Sequence, residues 1–90
     1  MTMERTVQIA NKLGLHARAA AKLVTLAQKF KSEIHIKKDT REVSGKSIMG
    51  VMMLAAGKGS RITLRAEGPD AEKALDALEA LIARKFDEGG

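Results

Sequence analysis

The chain switches repeatedly between two hydrophobic periods, and each switch marks an element. Over residues 5–10, Val7 and Ile9 fall on one side and Thr6 and Gln8 on the other, the period of a half-buried strand. Asn11-Lys12-Leu13-Gly14 breaks the alternation and reads as a loop. From about Ala17 to Phe30, Ala20, Leu23, Val24 and Ala27 recur at helical spacing, with Lys22 and Gln28 elsewhere on the wheel. Glu33 to Lys38 alternates again around Ile34 and Ile36, Lys38-Asp39-Thr40 turns, and Arg41 to Ser44 returns as a short strand with Val43 inward.

Ser47 opens an apolar stretch from Ile48 to Ala55, interrupted by Gly50 and closed by Gly57 and Gly59, which predicts a two-turn helix. Arg61 to Ala66 alternates with Ile62 and Leu64 inward. Gly68-Pro69-Asp70 then starts a last helix, with Pro69 near its first position and Asp70 and Glu72 in its positive first turn. Ala71, Ala74, Leu75, Leu78, Leu81, Ile82 and Phe86 make its buried stripe, and Arg84 and Lys85 sit where cations suit its negative end.

Every predicted strand has one apolar and one polar face. Such a sheet is covered on one side only, which favours antiparallel strands with the helices packed together on the other face. The order βαββαβα predicts an α+β open-faced sandwich, a four-stranded antiparallel sheet covered on one face by three helices. Ninety residues suffice for one domain, residues 1–90, and leave no room for a second core.

Composition narrows the chemistry. The absence of cysteine excludes disulfides, thiol catalysis and thiolate metal sites. No apolar run approaches the roughly 20 residues of a membrane span, and residues 1–5 resemble no signal segment, so the expectation is a soluble cytosolic protein with no membrane insertion. The net charge of +5 is uneven: residues 1–65 carry 13 Lys/Arg against 4 Asp/Glu, and residues 66–90 carry 3 against 7. The larger, basic part should attract phosphates or acidic partners, and the C-terminal part should not. Phe30 and Phe86 are the only aromatics, which disfavours base stacking and hence single-strand nucleic-acid binding.

The candidate site is Gly14-Leu15-His16-Ala17-Arg18-Ala19-Ala20. His16 falls at the cap of the first helix, a place that Ser, Thr, Asp or Asn would normally fill. The first backbone N–H groups of a helix lack internal partners and carry partial positive charge, so the amide of Ala17 and its successors form a ready anion site. Arg18 adds a forked donor, and Lys12 adds longer-range attraction. The same field disfavours imidazolium and keeps a ring nitrogen free to attack phosphorus. The residues by themselves leave two readings open: a phosphoryl-accepting histidine, or an ordinary surface or packed one.

Leu15-His16-Ala17-Arg18, together with Lys46-Ser47-Ile48-Met49-Gly50-Val51-Met52, resembles the HPr family, the phosphocarriers of the phosphoenolpyruvate-dependent sugar phosphotransferase system. The similarity spans essentially the whole chain, and the predicted βαββαβα order is the fold of that family. The resemblance implies that His16 accepts a phosphoryl group on Nδ1 from enzyme I and passes it to IIA domains, with Arg18 assisting the phosphate. It implies a stoichiometric carrier rather than an enzyme; no cofactor is expected, and two isolated His residues give no metal constellation. One departure is Ala19, where the family commonly has proline; alanine costs little in a helix, so the site should survive with a looser entry.

Ser47 is a good N-cap by residue type. The resemblance adds that the matching serine of relatives is phosphorylated by a dedicated kinase, HPr kinase/phosphorylase, as a regulatory switch. Ile48, Met49 and Met52 exceed what a short helix can bury while Val51 and Leu54 face the core. Methionine suits surfaces that meet several partners, and the resemblance implies that this helix docks them. His35, outward beside Glu33 and Lys37, is expected to be an exposed structural histidine; outward Lys37, Arg61 and Arg65 read as a solvated sheet face. A monomer suits a carrier that presents one small site. The alternatives are a nitrogen-type relay with a purely regulatory role and, from another class, a small basic nucleic-acid-binding module.

Overall fold

The structure is a computed structural model, and it describes residues 1–88. Its elements run β1 (Thr2–Gln8), α1 (Ala17–Ala27), β2 (Glu33–Lys38), β3 (Arg41–Ser44), α2 (Ile48–Met53), β4 (Arg61–Glu67) and α3 (Ala71–Ala83), followed by a short turn at Lys85–Asp87. The four strands form one antiparallel sheet in the order β1-β4-β2-β3. The predicted open-faced sandwich is the observed fold.

Alternation along the strands decides which face the helices cover. Ile34 and Ile36 of β2 and Ile62, Leu64 and Ala66 of β4 are buried, and they meet Ala20, Leu23, Val24 and Ala27 of α1 and Ala74, Leu75, Leu78 and Ile82 of α3. α3 lies against β1 and β4, whereas α2 packs beside α1 and β3. Each Val, Leu or Ile among them, fully buried, stabilises the fold by about 1.5–3 kcal/mol. The opposite face of the sheet stays open and polar.

Four details differ from the sequence reading. β1 begins at Thr2 rather than at residue 5, because Thr2 pairs with Glu67 and Met3 with Ala66. Apolar alternation misses this start because Arg5 occupies a covered position; its guanidinium reaches over α3 to Asp76 and to Glu79, so its stem packs while its head stays polar. α1 ends at Ala27 rather than Phe30, since the Lys29 and Phe30 amides donate to Leu26 and Ala27 in tightened i→i−3 bonds. Phe86 is fully buried but lies beyond α3, in a turn whose residues Lys85, Phe86 and Asp87 have φ of 58°, 54° and 60°. Arg84 is therefore the C-cap of α3 and Lys85 lies past it, so neither cation occupies the last helical turn.

At the other end of α3, Pro69 precedes the helix and Asp70 takes the cap position without capping it. Its carboxylate instead accepts from the Ser32 hydroxyl at 2.6 Å and from the Ser32 and Lys31 amides at 2.9 and 2.8 Å. These donors, the Ser32 hydroxyl foremost and then the Lys31 amide, pull the Asp70 carboxyl down from 3.8 to about 2. A carboxyl whose pKa falls on folding stabilises the protein fully above the unfolded value, and that stability is lost as pH falls through the folded one. The melting temperature of Asp70→Asn should therefore lie below that of the native chain at neutral pH, and the gap should close as pH drops from 3.8 to about 2. Thermal unfolding followed by circular dichroism checks this, and a gap independent of pH would contradict it.

Candidate functional site

The loop that delivers His16 is pinned on both sides. Asn11 is fully buried, and its side-chain amide donates to the Gly14 carbonyl at 2.8 Å. The Gly14 amide closes the turn on the Asn11 carbonyl, and the Leu15 amide donates to Ala56 at 2.9 Å, tying the loop to the segment between α2 and β4. Gly14 has φ of 67°, and a Cβ there would meet the Ala56 carbonyl oxygen at 2.5 Å and the Gly57 Cα at 2.7 Å. Only glycine fits this close approach of two backbones.

His16 then takes an extended conformation, φ −75° and ψ 178°, as the N-cap of α1. Its carbonyl accepts the first helical bond, from Ala20 at 2.8 Å, but its side chain caps nothing. The ring turns instead toward the end of the chain, where Nε2 lies 2.5 Å from Oε2 of Glu88. The imidazole is partly exposed, at 28% of its side-chain area, and Glu88 is more covered at 13%. Glu88 also accepts from the Asn11 side-chain amide at 3.0 Å. That bond, together with His16, holds the Glu88 carboxyl below its usual range in spite of desolvation.

The structure brings Lys12, His16, Ala17 and Arg18 together around one recess, with Leu13, Lys22, Asp87 and Glu88. Ala19 is buried at the head of α1. Glu88, from the acidic C-terminal segment, folds directly onto this basic region. Asn11, Lys22 and Glu88 carry no sequence signal of their own. An Asn in a loop and a Glu near a chain end look like solvated residues until the buried turn at Phe86 sets their places.

The second candidate region is α2, which packs beside α1. Ser47 Oγ accepts from the Gly50 amide at 3.1 Å, so the serine caps α2. Val51 and Leu54 are buried, whereas Ile48, Met49 and Met52 are exposed at 44%, 69% and 38%, joined by Met53 at 58%. His35 is half-buried rather than exposed, with Nδ1 3.8 Å from the Glu42 carboxylate that Arg65 also contacts at 3.1 Å. No group of three or more His, Cys, Asp or Glu among the described residues could hold a metal ion.

The chain is thus an open-faced sandwich with a partly exposed histidine at the head of its first helix. A family model described as the PTS HPr component phosphorylation site matches residues 3–84. The phosphocarrier protein HPr of Cupriavidus necator is 58% identical over 87 residues, 97% of this chain and 98% of that protein. The phosphocarrier protein NPr of Shewanella violacea is 52% identical over 86 residues, 96% of this chain and 94% of that protein. Among solved structures, HPr-C-His from Thermoanaerobacter tengcongensis superposes with a TM-score of 0.92 at 50% identity, covering 96% of this chain and 97% of that one. The chain belongs to the HPr family of phosphocarriers.

Because Gly14 sets the direction in which the chain enters α1, Gly14→Ala should destabilise the protein by more than about 1 kcal/mol. Urea denaturation measures this, and an unchanged midpoint would contradict the account of the loop.

Proposed function

We propose that the protein is a stoichiometric phosphoryl carrier that takes a phosphoryl group onto Nδ1 of His16 from phospho-enzyme I and gives it to IIA domains of the phosphotransferase system. The observation that carries this reading is the placement of His16. Its ring leaves the helix cap open and stands partly exposed at the N-terminus of α1.

Three consequences make that placement suitable. With Nε2 against Glu88, the other ring nitrogen holds the lone pair that attacks phosphorus. The amides of Ala17, Arg18 and Ala19, which donate to no described residue, offer donors for a dianionic group, and Arg18, which lines the same recess as His16, adds a second source of positive charge. Nδ1 forms a bond to phosphorus as the donor–phosphorus bond breaks, its electron pair leaving with the donor. Stabilisation stays modest because the recess is open, which leaves the group free to move on.

Ser47 is the proposed regulatory site, phosphorylated by an HPr kinase/phosphorylase. A phosphate there would replace Oγ as the acceptor for the Gly50 amide at a helix start, a position that tolerates negative charge. The switch therefore works by repelling partners rather than by unfolding α2. Exposed Ile48, Met49 and Met52 supply the apolar docking surface and Lys12 a charged rim. The protein is proposed to act as a cytoplasmic monomer formed by one domain. No helix among the described residues is long and apolar enough to cross a membrane. A nitrogen-type relay is the second reading, favoured by the 52% identity to an NPr protein.

The test is intact mass after incubation with phosphoenolpyruvate and a bacterial enzyme I. The native chain should gain one acid-labile phosphoryl group and His16→Ala none. No gain by the native chain, with enzyme I active on a control carrier, would contradict the proposal.

A further inference from the structure

The contact between His16 and the chain end is built by several independent features. Phe86, with no exposed surface, anchors the segment after α3 in the core. Three consecutive non-glycine residues, Lys85, Phe86 and Asp87, adopt left-handed φ, each at a cost of about 1–2 kcal/mol. Such a run persists only where its surroundings over-determine it. Here Lys22 of α1 donates to the Phe86 carbonyl at 2.6 Å, and the Asp87 and Glu88 amides donate to the Arg84 and Lys85 carbonyls, each at 3.0 Å. The turn reverses the chain, and Glu88 arrives at the head of α1. There one carboxylate oxygen is held by buried Asn11 and the other faces His16 Nε2. The turn and Glu88 lie outside residues 3–84, the span of the family model.

From this geometry we infer that Glu88 is the positioning residue of the phosphoryl-accepting histidine: it accepts the proton-bearing Nε2–H of His16, fixes the ring and leaves Nδ1 as the nucleophile. The inference deepens the carrier reading and rests on it for its chemical consequence. An ionised carboxylate has no proton to give, so at 2.5 Å the hydrogen between the two groups belongs to Nε2. The nitrogen without a proton is then Nδ1. The low-lying titration of Glu88 keeps it ionised at neutral pH.

Charge balance gives the pair a further role. When Nδ1 attacks, its lone pair becomes the new N–P bond and the donor–phosphorus bond breaks with its electrons leaving on the donor. The ring gains positive charge shared by both nitrogens, and the Glu88 carboxylate lies hydrogen-bonded to one of them. On donation the N–P bond breaks, its electron pair returns to Nδ1, and Nε2 keeps its proton throughout. Lys12, Arg18 and Lys22 also face this recess, together with Asp87. The cations draw in the phosphoryl group, and Glu88 compensates the ring. A carboxylate holding one imidazole nitrogen so that the other can react is a general device of histidine chemistry.

The experiment uses the full chain labelled with 15N, above the pH at which the ring titrates. In the native protein, a slowly exchanging proton should correlate with Nε2 of His16, with Nδ1 unprotonated. Glu88→Gln keeps an acceptor oxygen and should keep that proton; Glu88→Ala should lose it to rapid exchange. With phosphoenolpyruvate and enzyme I, Glu88→Ala should accept a phosphoryl group about tenfold more slowly, with Glu88→Gln between it and the native rate. The amide spectra of both variants report whether the fold is retained. A proton on Nδ1, a protected Nε2–H that survives in Glu88→Ala, or a native transfer rate in that variant would overturn the inference. Native chain that shows the Nε2 signature yet accepts no phosphoryl group would instead remove the carrier reading.

Discussion

The apolar face of the sheet against α1 and α3 is the interaction on which everything else in this protein depends. Ile34, Ile36, Ile62 and Leu64 offer one continuous hydrophobic surface, and with no second sheet to cover it, the helices must lie there. Once α1 is fixed on that surface by Leu23, Val24 and Ala27, its N-terminus projects at the rim. The loop from β1 must climb to it in a few residues. Gly14 and buried Asn11 make that climb possible, and His16 emerges where the core ends and solvent begins. The His16 side chain is partly exposed because the hydrophobic packing stops one residue earlier, at Leu15, which is 5% exposed.

At this rim, opposing electrostatic demands meet. A helix start ordinarily receives a side-chain cap that satisfies its open amides. Here the cap residue turns away, toward Glu88, and its side chain caps none of those amides. The cost of an uncapped helix, about 0.5–2 kcal/mol, is small beside the burial that holds α1 down. Lys12, Arg18 and Lys22 supply positive charge around the recess, and of its two described carboxylates, Asp87 and Glu88, Glu88 lies against the ring. Charge of each sign sits next to the group that needs it.

Much of this was legible from residue order. Period-two alternation located β2, β3 and β4, because each buries one face only; helical spacing located α1 and α3; Ser47 and the glycines at 57 and 59 bracketed α2. The glycine-then-histidine step before Ala17 pointed to the anion site from general helix physics, and the two separated motifs pointed to the family. What stayed hidden depends on tertiary structure. Arg5 looks like a break in alternation because its charge is met by Asp76 and Glu79, which lie more than seventy residues away in sequence. Phe86 completes an apolar stripe on a helical wheel, yet the chain has already left the helix, since no local rule announces left-handed φ at Lys85, Phe86 and Asp87. Glu88 depends on that turn, so the carboxylate beside His16 could not be placed by reading along the chain.

The central claim is that the phosphoryl group resides on Nδ1 of His16, over the open start of α1. Phosphorus–nitrogen correlation by NMR on the 15N-labelled, phosphorylated chain tests it most directly. The account predicts one phosphoramidate resonance coupled to Nδ1 of His16, with Nε2 still carrying its proton. Phosphorus bound to Nε2, or to any residue other than His16, would contradict it.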